Sequence, residues 1–448
     1  MSSIQRVLIV GGGAREHALC KAIAQSKQVQ LSCVMKNNNP GINRLCADVL
    51  LEEETDCPAI VDYAVKQGID MVCIGPEAPL QAGLTNALIK KNISVCAPSK
   101  QAARIETDKE WMRNLLQKYN IPGQLQFQSF TLVKQAQSYI ELLQGNVALK
   151  PIGLTGGKGV WVHGDHFTTV DEAMVYVKKV ISEGIGGSSK ILVEEKAIGE
   201  EFTIQGFTDG AHLVTLPAVQ DHKRLLPGDK GVNTGGMGSY SCSNGLLPFL
   251  TQQEYDQAVS ILQQIIDALS HEQCPYVGPI YGQFMVCATG VKVIEINARF
   301  GDPEVMNVLP LLKNQYVEVC QSMVQGNIHQ TYLDMEKKAT VCKYVVPEGY
   351  GHKSLENTPV HINEKAIEEI GALLFYASVN QKNKIVYTTT SRALAVVGIA
   401  DSLEQAEKVC KNALEHVQGD HIFIRHDIGT AGLLQKRIDH IKKIREDL

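Results

Sequence analysis

Apolar residues recur along this chain at two spacings, and the switches between them mark out its elements. Arg6–Val10 (RVLIV) is a short β-branched run that ends at Gly11-Gly12-Gly13. A helix pattern follows from Ala14, with Leu19, Ala22 and Ile23 on one side. Further strands are expected at Leu31–Met35, Asp70–Ile74 and Ile93–Ala97, with helical segments near Cys57–Lys66 and Leu80–Lys91. Strands alternating with helices imply an open parallel, Rossmann-like sheet. Ligands of such sheets sit at the carboxyl ends of the strands. The loops there are Gly11–Arg15, Asn37–Gly41 and Gly75–Pro79, the last carrying Glu77 between two prolines.

The middle of the chain reads differently. Thr107 and Glu110 have capping-box spacing ahead of a helix that turns Met112, Leu115, Leu116 and Tyr119 inward. Asn146–Lys150 is a short strand, and Val160–His163 has a second β pattern. Between them lies Gly153-Leu154-Thr155-Gly156-Gly157-Lys158-Gly159. No helix follows and the Gly-Lys-Ser/Thr order is absent, so this is a glycine flap between strands and not a P-loop. Its glycines let backbone amides approach phosphates, and Lys150 and Lys158 add positive charge. Lys190–Glu194 is a strand leading into Glu195-Lys196-Ala197, and a further strand starts near Glu200 and Glu201. Such a strand-edge linker offers main-chain groups to a base and carboxylates to ribose hydroxyls.

A long polar loop, QDHKR at 220–224 and NTGGMG at 233–238, is too polar for core. Thr251 and Glu254 cap the next helix, whose apolar face is Tyr255, Val259, Leu262, Ile266 and Leu269. A hairpin follows: Ile280–Cys287 with Gln283 on it, a turn at Thr289-Gly290, and the strand VKVIEINA. At period two, Glu295, Asn297 and Arg299 share one face, while Ile294, Ile296 and Ala298 face the core. A carboxylate and a carboxamide oxygen suit a hard divalent cation, and Gln283 is a candidate third ligand. The adjacent guanidinium can neutralise developing negative charge. The competing reading is a plain exposed strand face. After the strand, FGDPE adds Asp302 and Glu304.

The last 120 or so residues read as strands at Ala339–Val346, Ala372–Val379, Lys384–Thr388, Leu394–Ile399 and His421–Ile424. With them come a helix after Ser402 and a terminal helix from Leu433 whose charges read as its solvated face. Composition then narrows the classes. Of the 448 residues, 44% are hydrophobic and 20% charged, as in ordinary globular proteins. A net charge of −5 gives no sign of a nucleic-acid or membrane-surface protein. The 12 cysteines show no zinc spacing, which fits a reducing, cytoplasmic compartment. There is neither a signal-peptide pattern nor a long apolar span. The first glycine loop is a poor dinucleotide site. Glu16 stands where the third glycine of G-x-G-x-x-G would fall, and its carboxylate would repel a pyrophosphate. A smaller phosphorylated ligand remains compatible with the loop, with Arg15 as its cation.

Taken in order, GGGAREHA (11–18), GPEAPL (75–80), LKPIGLTGGKGV (149–160), VEEKAIGEEF (193–202), QDHKR, NTGGMGSY (233–240), YVGPIYGQFM (276–285) and EINARFGDPE (295–304) resemble the ATP-grasp superfamily. Within it they resemble the phosphoribosylamine–glycine ligases. The resemblance runs almost end to end, and the loop at 220–240 with NARFGDPE is its most specific part.

It implies an α/β chain: an N-terminal Rossmann-like domain (1–103), a central ATP-grasp domain (104–327, flap subdomain about 124–195) and a small α+β cap (328–448). It implies an ATP-dependent ligase joining glycine to 5-phosphoribosylamine in purine biosynthesis, acting on small molecules only, as a monomer or weak dimer. Glu295, Asn297 and Gln283 would hold Mg²⁺ or Mn²⁺. Lys150, Gly156, Gly157 and Lys158 would bind ATP phosphates, with Arg299 and Lys158 catalytic. Glu194, Glu195, Ala197 and Glu201 would take adenosine. Gly13, Arg15 and Glu77 would face phosphoribosylamine, and Asp221, Lys223 and Asp302 would complete the substrate set.

The chain departs from the bacterial flap pattern at Pro151-Ile152 and Thr155-Gly156, and again at Gly12, Ala14 and Thr390-Ser391 ahead of Arg392. These departures resemble an archaeal-type branch. No transformylase or cyclo-ligase segment is recognised, so a single activity is expected. Two alternatives remain open: an ATP-grasp ligase with other substrates, and a non-catalytic nucleotide-binding homologue.

Overall fold

In the computed structural model, which describes residues 4–156 and 159–446, five parallel strands form the N-terminal sheet. Their order is Asp48–Leu51, Val29–Met35, Gln5–Val10, Met71–Ile74, Ser94–Cys96. The Asp48–Leu51 edge strand is additional to the pattern read from sequence. It is half exposed, so it carries no continuous apolar signal. Val7, Leu8, Ile9 and Val10 are fully buried because helices cover both faces of this sheet. The helical stretch expected at Leu80–Lys91 is two helices, Glu77–Ala82 and Leu84–Ile89. Gly83, at φ +94°, takes a left-handed conformation that breaks it. Strand order reverses beside Gln5–Val10, so the crevice past Val10 and Ile74 is the switch point.

Two four-stranded sheets make the central part. One is Leu213–Thr215, Gly199–Asp209, Val277–Cys287, Gly290–Asn297; the other is Phe127–Phe130, Ile191–Glu195, Val147–Pro151, Trp161–Val162. The helix Gln252–His271 backs the first sheet with Ile261, Leu262, Ile265, Ile266 and Leu269 buried. Its capping box is as expected, Thr251 and Glu254 bonding each other's backbone. The earlier box shifts by one residue. Asp108, not Thr107, caps Lys109–Lys118 by accepting from Trp111 N at 2.9 Å, and Glu110 pairs with Lys190.

The polar loop is not free-standing. Gln220–Asp221 and Gly238–Ser241 pair with each other and extend the C-terminal sheet through Ala339–Pro347, Leu394–Ala400 and Leu373–Tyr376. The segment that sequence shows only as a glycine-rich loop is thereby stitched between the central and C-terminal parts. All twelve cysteines are free thiols. Among the described residues no helix is long and apolar enough to cross a membrane.

Candidate active site

A cleft of about 750 Å³ opens where the parallel sheet, the central sheets and the C-terminal part meet. Its floor is the hairpin Val277–Cys287/Gly290–Asn297, which does not run at strict period two. Gln283 pairs with Glu295 and Phe284 with Val293, so Ile294 is an extra, bulged residue. Val291 and Val293 are therefore core, and so are Ile296 and Ala298 beyond the bulge. Ile294 is not the core residue that alternation assigned. It lines the cleft, while Glu295, Asn297 and Arg299 stand on the cleft face as expected.

Glu295 sits among cations. Burial by itself would raise its pKa, but Lys223, Lys150, Lys109 and Arg299 together hold it below its ordinary value. Asn297 Nδ2 donates to Glu295 Oε1 at 3.4 Å, and among the described residues no hydrogen bond engages Asn297 Oδ1. An ionised carboxylate beside a carboxamide oxygen is a hard donor set that fits Mg²⁺ or Mn²⁺. Gln283 is arranged otherwise. It is fully buried, its Oε1 accepts from Lys223 Nζ at 2.5 Å and its Nε2 donates to Glu201. Both ends of its amide are engaged, so in this arrangement it positions Lys223 and Glu201.

Arg299 is held by two acids from different elements. Its Nε meets Glu77 at 2.8 Å and its Nη2 meets Glu106 at 2.9 Å. Burial would raise Glu77, yet Arg299 and Arg15 bring it down to about 2. Glu106 goes the other way. Burial pushes it up to about 7, Glu77 and Glu295 add to that, and Arg299 opposes. Sequence reading missed Glu106, because nothing local marks an acid whose partner lies nearly two hundred residues on.

Glu194 is also arranged differently from the adenosine contact expected. Its carboxylate is almost fully buried and engages Arg113 Nε at 2.6 Å, Arg113 Nη2 at 3.1 Å and Lys150 Nζ at 2.6 Å. Arg113, fully buried, also donates to the carbonyls of Val293 and Ile294. Glu194 thus aims Lys150 into the cleft and ties the flap sheet to the bulge. Glu195, Ala197 and Glu201 line the cleft nearby, as does Gly156. Gly157 and Lys158 lie outside the described residues. Lys109, also missed, donates to Gly153 O at 2.6 Å at the base of the flap.

At the switch-point end, Arg15 and Glu77 reach the cleft, but Gly13 does not line it. The Gly13 amide donates to Glu16 at 2.7 Å, and Glu16 also pairs with Arg15. A Cβ at Gly75 would overlap Glu16 Oε1, so this glycine makes room for the acid. The loop is closed by its own carboxylate, which is the structural reason it makes no dinucleotide site. Opposite, Asp221 Oδ1 is buried without a hydrogen-bond partner. Burial pushes Asp221 up against the pull of Lys223. Asp302 is held by Arg392 Nη2 at 3.1 Å and by the Tyr344 hydroxyl. Arg392 also donates to the carbonyls of Gly235 and Gly236. The terminal helix Ala431–Glu446 is not merely solvated on its charged face. Arg437 and His440 line the cleft and pair with Glu200.

Three family models match in sequence order: phosphoribosylglycinamide synthetase N domain over residues 5–106, its ATP-grasp (A) domain over 107–305, and its C domain over 340–431. The chain belongs to the phosphoribosylglycinamide synthetase (phosphoribosylamine–glycine ligase) family. Phosphoribosylamine–glycine ligase of Methanothermobacter thermautotrophicus is 47% identical over 441 residues, covering 98% of this chain and 100% of that protein. The Methanosarcina barkeri enzyme is 48% identical over 443 residues, covering 98% and 100%. Among solved structures, phosphoribosylamine–glycine ligase of Thermotoga maritima superimposes with a TM-score of 0.80 at 23% identity, covering 94% of this chain and 99% of that one. The biotin carboxylase domain of Hydrogenobacter thermophilus 2-oxoglutarate carboxylase, a MgADP complex, superimposes at 0.73 with 14% identity, covering 100% and 96%. At such identities these two structures speak for the fold alone.

Proposed function

We propose that this chain joins glycine to 5-phosphoribosylamine at the expense of ATP, through glycyl phosphate, giving glycinamide ribonucleotide, ADP and phosphate in de novo purine synthesis. The observation that carries this reading is the meeting of Lys150, Glu295, Asn297 and Arg299 in one cleft of a chain 47% identical, end to end, to a ligase of that name.

In the first step a glycine carboxylate oxygen attacks the γ-phosphorus, and the bond from phosphorus to the bridging oxygen of ADP breaks. In the second, the amine nitrogen of phosphoribosylamine attacks the acyl carbon, the C–O bond to phosphate breaks, and the nitrogen loses a proton. Lys150, aimed by Glu194, binds ATP phosphate oxygens. Glu295 and Asn297 hold Mg²⁺ or Mn²⁺, which neutralises phosphate charge when bound. Arg299, held by Glu77, Glu106 and the Phe300 carbonyl, offers the N–H groups left over to the acyl phosphate. The main chain at Glu195 and Ala197 takes adenine and Glu201 takes ribose, with the apolar wall of Ile294 beside them. Arg15 and Glu77 face phosphoribosylamine, while Asp221, Lys223 and Asp302 place glycine. By the family resemblance, Lys158 is assigned to the ATP phosphates as well. A monomer or weak dimer at work in the cytoplasm is part of the same proposal.

The test is ADP release from ATP and Mg²⁺ with glycine, with and without freshly generated phosphoribosylamine, followed by mass analysis. ADP together with glycinamide ribonucleotide is the expected result. A folded, ATP-binding protein that forms neither product would overturn the reading, and a parallel assay with Mn²⁺ decides the metal.

A further inference from the structure

Away from the cleft, the strand Gly199–Asp209 ends in a turn that carries His212, and the short helix Ile328–Gln330 brings His329 beside it. The imidazole rings stand 4.2 Å apart between centroids, tilted by 39°. One ring nitrogen of each and one oxygen of Asp209 lie within 4.8 Å of one another. The acid is already fixed. Asp209 Oδ1 accepts the amides of Ala211 and His212 at 3.0 and 2.8 Å, and Oδ2 accepts that of Ile328 at 3.2 Å. The turn is fixed too, since Ser270 Oγ donates to Gly210 O at 2.6 Å and Gln263 to Ala211 O at 2.8 Å. None of the three residues lines the catalytic cleft.

We propose that Asp209, His212 and His329 form a surface site for a borderline divalent transition metal such as Zn²⁺ or Co²⁺, separate from the Mg²⁺ or Mn²⁺ of the ligase reaction. Two imidazole nitrogens and one carboxylate oxygen are donors that Zn²⁺ and Co²⁺ prefer and Mg²⁺ does not. Metal–nitrogen bonds of about 2.1 Å place two donors at most about 4.2 Å apart on one ion. His212 Nδ1 already lies 3.1 Å from the buried Asp209 Oδ2, and rotation of the two exposed imidazoles closes the remaining separation. His329 meets only the Gln330 amide besides His212, at 3.3 Å, so little holds it back. Three protein ligands leave a coordination position that water would fill. The bound ion clips the short helix Ile328–Gln330 to the end of the strand Gly199–Asp209. By mass action it stabilises that junction against unfolding.

The competing soft donors are the buried thiols of Cys73, Cys96 and Cys320, whose ligand atoms also lie within 4.8 Å of one another. The experiment therefore uses Co²⁺, whose absorption separates nitrogen and oxygen ligands from thiolate. The full-length chain is titrated with Co²⁺ in excess Mg²⁺, and Zn²⁺ is then followed by the shift in melting temperature. The expected result is one Co²⁺ per chain with no thiolate charge-transfer band, and a rise in melting temperature with Zn²⁺. His212→Ala and His329→Ala should each weaken binding at least tenfold while leaving ligase turnover unchanged. His329→Ala is the cleaner variant, because the turn at Asp209 does not rest on it. Equal Co²⁺ affinity in wild type and His329→Ala would overturn the proposal. So would a thiolate band that disappears in Cys73→Ala, or no binding at all.

Discussion

Arg113→Met tests whether Glu194 is an organising residue. The wild-type guanidinium satisfies Glu194 twice and two main-chain carbonyls of the bulged strand, three of these bonds buried and the one to Ile294 part-buried. Removing it leaves a buried carboxylate with Lys150 as its direct ion-pair partner among the described residues. Breaking a buried pair by deleting one partner costs about 3–5 kcal/mol. Each carbonyl left unpaired adds about 1–3 kcal/mol, less than additively at one site. We expect Arg113→Met to lose about 4 kcal/mol in urea unfolding and to raise the KM for ATP, because Lys150 loses its aim.

The pH dependence gives a second reading of the same pair. Glu194 is held at about 2 against an ordinary 4.5, with burial opposing and Arg113 and Lys150 prevailing. A lowered carboxyl contributes stability that is complete above the unfolded value and is lost as pH falls through the folded one. The 2.5-unit gap corresponds to about 3 kcal/mol, released between pH 4.5 and 2. Arg113→Met should shrink that acid-side loss. The double variant Arg113→Met/Glu194→Gln should cost less than the single one, since the buried carboxylate that lost Arg113 is itself neutralised and Lys150 keeps the nearby charge of Glu295. A single-variant cost below about 1 kcal/mol, or a double variant as costly as the sum of its parts, would refute the reasoning.

Three further outcomes are expected. Glu295→Ala should abolish ADP formation while the protein stays folded; near-normal turnover would remove Glu295 from the metal site. Arg299→Lys should lower kcat by about 100-fold, because a point charge cannot span Glu77 and Glu106 and still face the acyl phosphate; unchanged steady-state kinetics would exclude that role. Glu106, raised to about 7, binds its proton more tightly folded than unfolded, so stability falls as pH rises from 4.5 to 7. Glu106→Gln should flatten that slope in unfolding experiments, and an unaltered slope would mean that Glu106 does not titrate there.

What the sequence determined by itself was whatever depends on near neighbours. The run Arg6–Val10, the capping box of Thr251 with Glu254, the cap at Ser402 and the shared face of Glu295, Asn297 and Arg299 all follow from spacings of two to four residues. Those spacings are fixed by strand pleat and helix pitch, whatever the rest of the chain does. Even there, one extra residue at Ile294 escaped, because a bulge is set by the partner strand's register. Only the tertiary structure decided where charged side chains spend their bonds. Gln283 turned to Lys223 and Glu201, Glu194 to Arg113, Glu106 to Arg299, and Arg437 came from the terminal helix to Glu200. A buried charge takes the opposite charge that folding delivers to it, and sequence spacing holds no record of a partner scores or hundreds of residues away.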